Sequence, residues 1–589
     1  MTGDGPDSEG AGTDTDGTVR YLLSGRFEYR AIVHGPFLPI VNRHVFALLG
    51  PTDLTSRLVV AVVGGVAPLA AWLFRDRLRP TETVVLGGLL ALDPILVYYS
   101  RFMRSDLIVA SAMVFALGFV VRAIDTGRHR HVYAAVAAAA VGLAAKENAI
   151  LYPIAWLGAG ALLLDGRALR RRLTGDDPYA VFREYAGRIA DVGWAWRRPL
   201  ALGAVQLLAL IVFFYGPRGG GYDPPAGSAS DAGLWSSIAA LDPGAFGSVV
   251  AQATVGSWGK FVAQWGGGGG HQYLPYLEHY VRVLALKGYS PLGNPIGAIG
   301  AGALAGFAVV GFLADRYGAD CRDLIALGAY WGGASVLCYP IVADIQAPWL
   351  VSHAVVALAF PAAVGLSLVA RRAIRAHRAN DPTVVAAGLV VLLVVAGSMS
   401  YVAVDTSYDR PQDRSNGLVQ YAQPGAADMG PVLDDLTAVA PRSEGTDILY
   451  YGDEFDTPGN DESLHDQPNA GGGWFRRLPF PWYFEGAGMR AGERARVSST
   501  ASPDVVAGTE APIVIALEGG FPNRDTAADV DQYLTDSYRY RGQRFLYDTG
   551  TVSSVAIFVD ADAIDGIDAR GTYNRSWTER APVDAARSG

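Results

Sequence analysis

Ten stretches of mainly apolar residues, each near the length of a bilayer-spanning helix, occur before residue 404: 57–74, 83–100, 106–122, 131–146, 148–164, 200–215, 294–314, 323–340, 349–370 and 383–403. A hydrocarbon core of about 30 Å, climbed at about 1.5 Å per residue, takes roughly 20 residues. The pattern predicts a polytopic α-helical membrane protein of about ten helices. Pro68, Pro94, Pro153 and Pro361 lie in or near these stretches and are tolerated in lipid where neighbours satisfy the freed carbonyls. Only 18% of the chain is charged, against about a quarter in soluble domains, which excludes one compact soluble globule. The 71 glycines and 33 prolines follow no three-residue period, which excludes collagen.

Charge divides the chain in two. From Asp405 onward there are 30 acidic and 16 basic residues, a net of −14, which leaves +5 on the first 404 residues of a chain whose total is −9. No basic surface for nucleic acid is implied. Of the 48 basic residues only Lys146, Lys260 and Lys287 are lysines, and arginine on an acidic exterior suggests a halophilic, GC-rich source. Cys321 and Cys338 are separated by an apolar stretch, which argues against a disulfide framework or a thiolate zinc site.

Arg and Lys are retained in cytoplasmic connections, and here they alternate. Arg75, Arg77 and Arg79, then Arg122, Arg128 and Arg130, the arginines from Arg167 to Arg198, Arg316 and Arg322, and Arg371 to Arg378 mark one side. The other side receives a long loop at 216–293 and the acidic region after residue 404. Three parts are expected: an acidic disordered tail at 1–20, a membrane domain at 21–404 and an extracellular α/β domain at 405–589. The alternation also places residues before Arg57 outside, so either a short N-terminal tail is translocated unaided or, as the favoured expectation, a further spanning helix lies upstream of Met1.

Basic groups on the outer side oppose the retention rule and are candidates for a site. Arg101 and Arg104, in Tyr98-Tyr99-Ser100-Arg101-Phe102-Met103-Arg104-Ser105-Asp106, lie three apart, so a helical turn sets both guanidiniums on one face. Arginine forks match phosphate oxygens, while an interfacial ion pair with Asp106 explains the same residues. Lys146-Glu147 interrupts two apolar helices; the two either neutralise each other or serve a site, since such charges are expensive in a membrane. His34-Gly35-Pro36-Phe37 presents a histidine at a turn. The long loop carries Trp235, Trp258, Trp265, the run Gly266 to Gly270 and His271, a pattern for anchoring to head groups or stacking on a sugar or prenyl chain. Pro348 opens a helix that sets His353 about one turn below the surface.

These blocks resemble archaeal polytopic membrane proteins related to the dolichyl-phosphate-mannose protein mannosyltransferases, the GT-C-like proteins labelled flippase activity-associated. The resemblance is carried by Glu28-Tyr29-Arg30 to Phe37, Tyr98 to Asp106, Lys146-Glu147-Asn148, Pro348-Trp349-Leu350 with His353, and Gly471 to Tyr483. It implies a GT-C-like fold and an outward site that passes sugar from a polyprenyl (dolichyl) phosphate carrier to a hydroxyl acceptor. The alternative it implies is a non-catalytic partner of glycosylation or flippase machinery that binds the same lipid-linked sugar. In the family the acceptor-side base lies in an Asp-Glu pair on the first external loop. Here Asp14, Asp16 and Gly17 precede Thr18-Val19-Arg20-Tyr21 in a low-complexity tail, so no residue is carried over as the base. Asp106 matches the second acidic position. Arg101, Arg104, Lys146, His34, His271 and His353 are the candidate substrate and phosphate groups.

After residue 406 short β-rich runs appear at Asp447–Tyr451, Pro512–Leu517, Gln543–Tyr547 and Val552–Val559, with helical spacing over Ala527–Tyr538. A small α/β domain with a partly parallel sheet is predicted. Asp453, Glu454, Asp456, Asp461 and Glu462 offer oxygen donors for a divalent cation, the one cofactor the sequence suggests, although a solvated acidic loop explains them as well; no metal site is assigned. Asn574-Arg575-Ser576 fits an N-glycosylation sequon.

Overall fold

The computed structural model describes residues 29, 34–218, 233–266, 272–286, 294–318, 321–343, 345–410, 416–419, 429–440, 445–455, 477, 480–484, 496–519, 530, 532–534, 538–548, 551–571 and 573. The tail at 1–20, His271, Asp456, Asp461, Glu462 and the sequon at Asn574 lie outside them.

Among the described residues eight helices are long and apolar enough to cross a membrane: Asp53–Phe74, Ser105–Thr126, Glu147–Thr174, Arg197–Tyr215, Pro295–Arg316, Asp323–Val342, Pro348–Arg378 and Pro382–Asp409. Eight of the ten predicted segments fall on them. The other two form shorter helices. The segment expected at 83–100 is broken at Asp93, whose backbone is extended between Pro80–Leu92 and Pro94–Tyr99. Asp93 accepts from the amides of Ile95 and Leu96 at 3.0 and 3.3 Å, and Pro94 occupies the first helical position, where no amide is needed. The segment expected at 131–146 is the helix Arg130–Ala145, which ends because Lys146 is extended.

The same caps delimit the long helices. Asn294 accepts from Gly297 ahead of Pro295, Asp381 accepts from Val384 ahead of Pro382, and Gly127 and Gly175 end two helices with φ of 64° and 85°. Two helices form the centre: Ser105–Thr126 and Pro348–Arg378 are each 72% buried over their most apolar stretch, whereas Glu147–Thr174 is only 17% buried. The peripheral helices expose Val84, Leu157 and Leu393, as a lipid-facing surface does. Gly311 and Gly365 let Pro295–Arg316 and Ser352–Arg378 touch backbone to backbone: a Cβ on Gly311 would lie 1.8 Å from the carbonyl oxygen of Pro361. Small residues at crossings are how membrane helices gain close packing.

The acidic part contains a five-stranded sheet, β1 (Ile448–Tyr451), β2 (Val497–Thr500), β3 (Ile513–Gly519), β4 (Tyr538–Asp548) and β5 (Thr551–Asp560), in the order β2-β1-β3-β5-β4. β1 pairs in parallel with β2 and β3, and β5 pairs antiparallel with β3 and β4. Alternation places Ile448, Tyr450, Ile513, Ile515, Ile557 and Val559 in one core and Leu449, Tyr451, Val514, Ala516, Ala556 and Phe558 in the other, so the sheet is covered on both faces. β2 was not expected, because Val497-Ser498-Ser499-Thr500 carries no apolar run. The expected helix over Ala527–Tyr538 shows helical geometry at Val530, Gln532 and Tyr533, and Tyr538 begins β4 instead.

A carboxylate of the helices takes part in holding the sheet domain. Trp482 Nε1 and Tyr483 OH donate to the two oxygens of Asp53, each at 2.9 Å, and the Trp482 ring lies 6.0 Å from that of Phe46. Phe46 belongs to a short amphipathic helix, Phe37–Leu49, that Thr52 separates from the first long one by a capping box with Thr55.

Candidate functional site

Three sequence-distant helix ends supply one buried cluster. Asp106 stands in the first turn of Ser105–Thr126, where free amides favour an acid. The extended backbone of Lys146 turns its side chain away from the helix just completed, and Nζ donates to Asp106 Oδ1 at 3.0 Å and Oδ2 at 3.3 Å. His353, the second residue of Ser352–Arg378, brings Nε2 to 3.5 Å from Asp106 Oδ1. Asp106 is 1% exposed and His353 0%.

His353 is held from every side. Its Nδ1 lies 2.7 Å from Tyr152 OH and its Nε2 3.1 Å from the side-chain amide of Asn148, while the Tyr339 ring stacks on it at 4.7 Å and 10°. Nε2 thus lies between the Asp106 carboxylate and the Asn148 amide, and Nδ1 against the Tyr152 hydroxyl.

Arg101 and Arg104 do not share a face. Residues 100–104 form turns and bends rather than a helix, so each guanidinium finds its own aromatic platform: Arg101 over Tyr408 at 4.2 Å and Arg104 over Trp349 at 3.4 Å. Arg104 Nε is 3.9 Å from Asp106 Oδ2, is buried, and has no hydrogen-bond partner among the described residues. Lys146 and Arg104 thus share Asp106 as their direct carboxylate partner. Asn148 Oδ1, Trp156 Nε1, Tyr339 OH and Ser352 Oγ are further buried polar atoms without a hydrogen-bond partner among the described residues.

Glu147 does not neutralise its neighbour Lys146. Its Oε1 accepts from Tyr29 OH at 2.5 Å and its Oε2 lies 3.4 Å from His34 Nδ1. Tyr29 in turn accepts at its backbone carbonyl from Lys260 Nζ at 3.2 Å, and the His34 ring stacks on Trp265 at 5.8 Å. This arrangement depends on Gly35, where a Cβ would lie 2.1 Å from the carbonyl oxygen of Ala144. Only glycine lets the chain at 34–36 lie against the end of Arg130–Ala145, which sets His34 beside Lys146 and Glu147. Burial, and then the adjacent Lys146, hold the His34 ring below the ordinary histidine range against the opposite pull of Glu147. Burial and Glu147 together push the Tyr29 phenol up.

Of the sequence candidates, Asp106, Arg104, Lys146 and His353 form one contiguous cluster, His34 joins through Glu147, Arg101 stands apart on Tyr408, and His271 is outside the described residues. Sequence reasoning passed over Tyr29, Asn148, Tyr152, Tyr339 and Trp349 as site members; a polar or aromatic residue at the outer end of an apolar helix was the signal available. Among the described residues no group of three or more His, Cys, Asp or Glu lies together as a metal site.

Residues 33–181, which contain this cluster up to Tyr152, match the dolichyl-phosphate-mannose-protein mannosyltransferase family model. Residues 429–560, which contain the sheet, match the Agl23 flippase-associated protein C-terminal domain. The chain is an Agl23-related, GT-C glycosyltransferase-like membrane protein. Among solved structures it is similar to ArnT from Cupriavidus metallidurans bound to undecaprenyl phosphate, with 16% identity and TM-score 0.46 over 94% of this chain and 93% of that one. It is also similar to the archaeal oligosaccharyltransferase AglB from Archaeoglobus fulgidus in complex with an inhibitory peptide and a dolichol-phosphate, with 14% identity and TM-score 0.45 over 96% of this chain and 70% of that one. A comparison with curated proteins finds no match.

Proposed function

We propose that this protein binds a polyprenyl-phosphate-linked sugar at the outer face of the membrane and transfers the sugar to an acceptor hydroxyl. The observation that carries the reading is the Arg104 guanidinium, spread on Trp349 beside the Asp106–Lys146 pair with its buried Nε lacking a hydrogen-bond partner among the described residues. A phosphate brought to this place completes the hydrogen bonding of Arg104 and keeps its prenyl chain in lipid. Asp106 orients Lys146 and limits the attraction, so that the more negative phosphate produced by transfer is favoured over the donor. Arg101 on Tyr408 stands at the entrance.

This reading places 21–404 as the membrane domain and 405–589 outside the cell, with the arginines from Arg167 to Arg198 in the cytoplasm. The match of the sheet domain to a flippase-associated protein favours a second reading, in which the same site holds the lipid-linked sugar for flippase or glycosylation machinery without transfer.

The test is binding of dolichyl phosphate and dolichyl phosphate mannose to the full chain in lipid nanodiscs. Arg104→Ala and Arg101→Ala are each expected to weaken both ligands at least about tenfold, the scale of a charge-assisted hydrogen bond of roughly 1.5 to 3 kcal/mol. Unchanged binding in both folded variants would return these residues to a structural ion-pair role. For topology, with Cys321 and Cys338 replaced by serine, external thiol reagent should label Asp504→Cys and spare Thr174→Cys; the reverse pattern would overturn the outward site.

A further inference from the structure

The second carboxylate of the outer end, Glu147, is not used by the donor reading, and it holds a histidine in a way that fits proton transfer. We propose that His34, oriented by Glu147, is the base that deprotonates the acceptor hydroxyl. This rests on the donor reading above, because a base has work here only if a lipid-linked sugar occupies the neighbouring cluster.

Four observations converge on His34. Its backbone has φ of 70°, the left-handed region that a non-glycine residue occupies at a cost and that gathers at functional sites. Its Nδ1 faces Glu147 Oε2 at 3.4 Å, which puts the ring proton on Nδ1 and leaves the Nε2 lone pair as the acceptor, the division of labour in which a carboxylate fixes tautomer and orientation. Glu147 is itself fixed by Tyr29 OH at 2.5 Å on its other oxygen. Finally, the His34 side chain is 28% exposed while that of Glu147 is 9% exposed, so of the two it is the imidazole that an acceptor can reach. Trp265, stacked on the ring, supplies a flat wall beside it. The groups that face the imidazole are Glu147, Lys146 and Asp106, and the first two raise and lower its basicity in opposite directions.

The step balances. His34 Nε2 takes the proton of the acceptor hydroxyl as its oxygen bonds to the anomeric carbon of the donor. The bond from that carbon to the phosphate oxygen breaks, and the electron pair leaves with the polyprenyl phosphate, which gains one negative charge. That charge grows beside Arg104 and Lys146, and the imidazolium forms beside Glu147. A lowered histidine basicity leaves the ring neutral and ready at neutral pH. Water in place of the acceptor gives donor hydrolysis by the same step.

The experiment uses the full chain in nanodiscs with dolichyl phosphate mannose, following sugar release to water and to a hydroxyl-bearing peptide, with donor binding measured in parallel. His34→Ala is expected to lose about 10²–10⁴-fold in turnover, the usual contribution of a general base, while binding donor within about threefold of the wild type; added imidazole should restore part of the rate. Wild-type turnover should fall as the pH drops and the ring takes up a proton. Glu147→Gln removes a negative charge that supports the protonated ring, so it should slow turnover and move that acid limb to lower pH. Turnover of His34→Ala near the wild-type rate would overturn the proposal, as would a loss that imidazole does not restore together with an unmoved acid limb in Glu147→Gln. Donor binding without any transfer in the wild type would overturn the base and leave the donor reading standing; absence of donor binding would overturn the donor reading itself.

Discussion

The two ends of the helical domain handle buried charge in opposite ways. At the end rich in arginine, Glu82 is fully buried and both of its oxygens are doubly engaged: Oε1 by Arg371 at 2.6 Å and Arg322 at 3.3 Å, Oε2 by Arg322 at 2.5 Å and by the amide of Arg79 at 2.9 Å. Arg322 is gripped again by Asp315 at 2.7 Å, and Arg79 Nη1 lies 3.8 Å from Glu82 Oε1, so two carboxylates hold three guanidiniums together at the meeting of four helices. At the other end Asp106 takes Lys146 and Arg104 while Glu147 is engaged by Tyr29 and His34, and several buried polar atoms there have no hydrogen-bond partner among the described residues. A buried network with its bonds complete ties helices together, whereas one with buried polar atoms left unpartnered has bonding capacity to spare for a ligand.

The largest expected effect lies at the completed end. Glu82→Ala leaves two half-buried guanidiniums without their fully buried carboxylate, and removing one partner of a buried pair costs about 3–5 kcal/mol. The variant should fail to accumulate, or should melt well below the wild type when followed by intrinsic fluorescence in detergent. If it accumulates and melts normally, the contrast between the ends is lost. Lys146→Met comes next. It strips Asp106 of its nearest cation but leaves Arg104 and His353 beside it, so stability should fall less than in Glu82→Ala while dolichyl-phosphate binding falls by tenfold or more.

Asp106→Asn sharpens the comparison further. Shape and some hydrogen bonding are kept while the charge is removed, and the variant should insert and accumulate normally yet fail to restore lipid-linked-sugar handling in a deletion strain. Full complementation would make the charge dispensable, and loss of the protein would move Asp106 into the class of Glu82.

The smallest effect is expected at the domain junction. Asp53→Asn weakens two hydrogen bonds of an exposed carboxylate, each worth roughly 0.5–1.5 kcal/mol net, and should increase protease access or hydrogen exchange at Trp482 and Tyr483 without changing the melting of the helices. Unaltered exchange there would show that other contacts hold the domain.

Much of this contrast was legible in the sequence, for a physical reason. Apolar length is a one-dimensional property, so eight of ten predicted spans coincide with long helices; the ninth, 131–146, is a shorter helix of the expected extent, Arg130–Ala145, and only 83–100 is divided by a local choice, the Asp93-Pro94 break. Arg104, Asp106, Lys146 and His353 stood out because charge at an apolar boundary is costly wherever the chain goes. What stayed hidden was pairing. That Lys146 reaches 40 residues back to Asp106 while its neighbour Glu147 turns to His34 and Tyr29 depends on three helix ends meeting. Tyr152 and Tyr339 read as core aromatics until His353 is placed between them. The shared face expected of Arg101 and Arg104 assumed a helical turn that the chain at 100–104 does not make.

Asp53 is both the first residue of a spanning helix and the mooring of the sheet domain. A helix shifts or tilts to match the thickness of the bilayer around it, so its end is not at a fixed height. The sheet domain is therefore tied to an end whose height the surrounding bilayer sets.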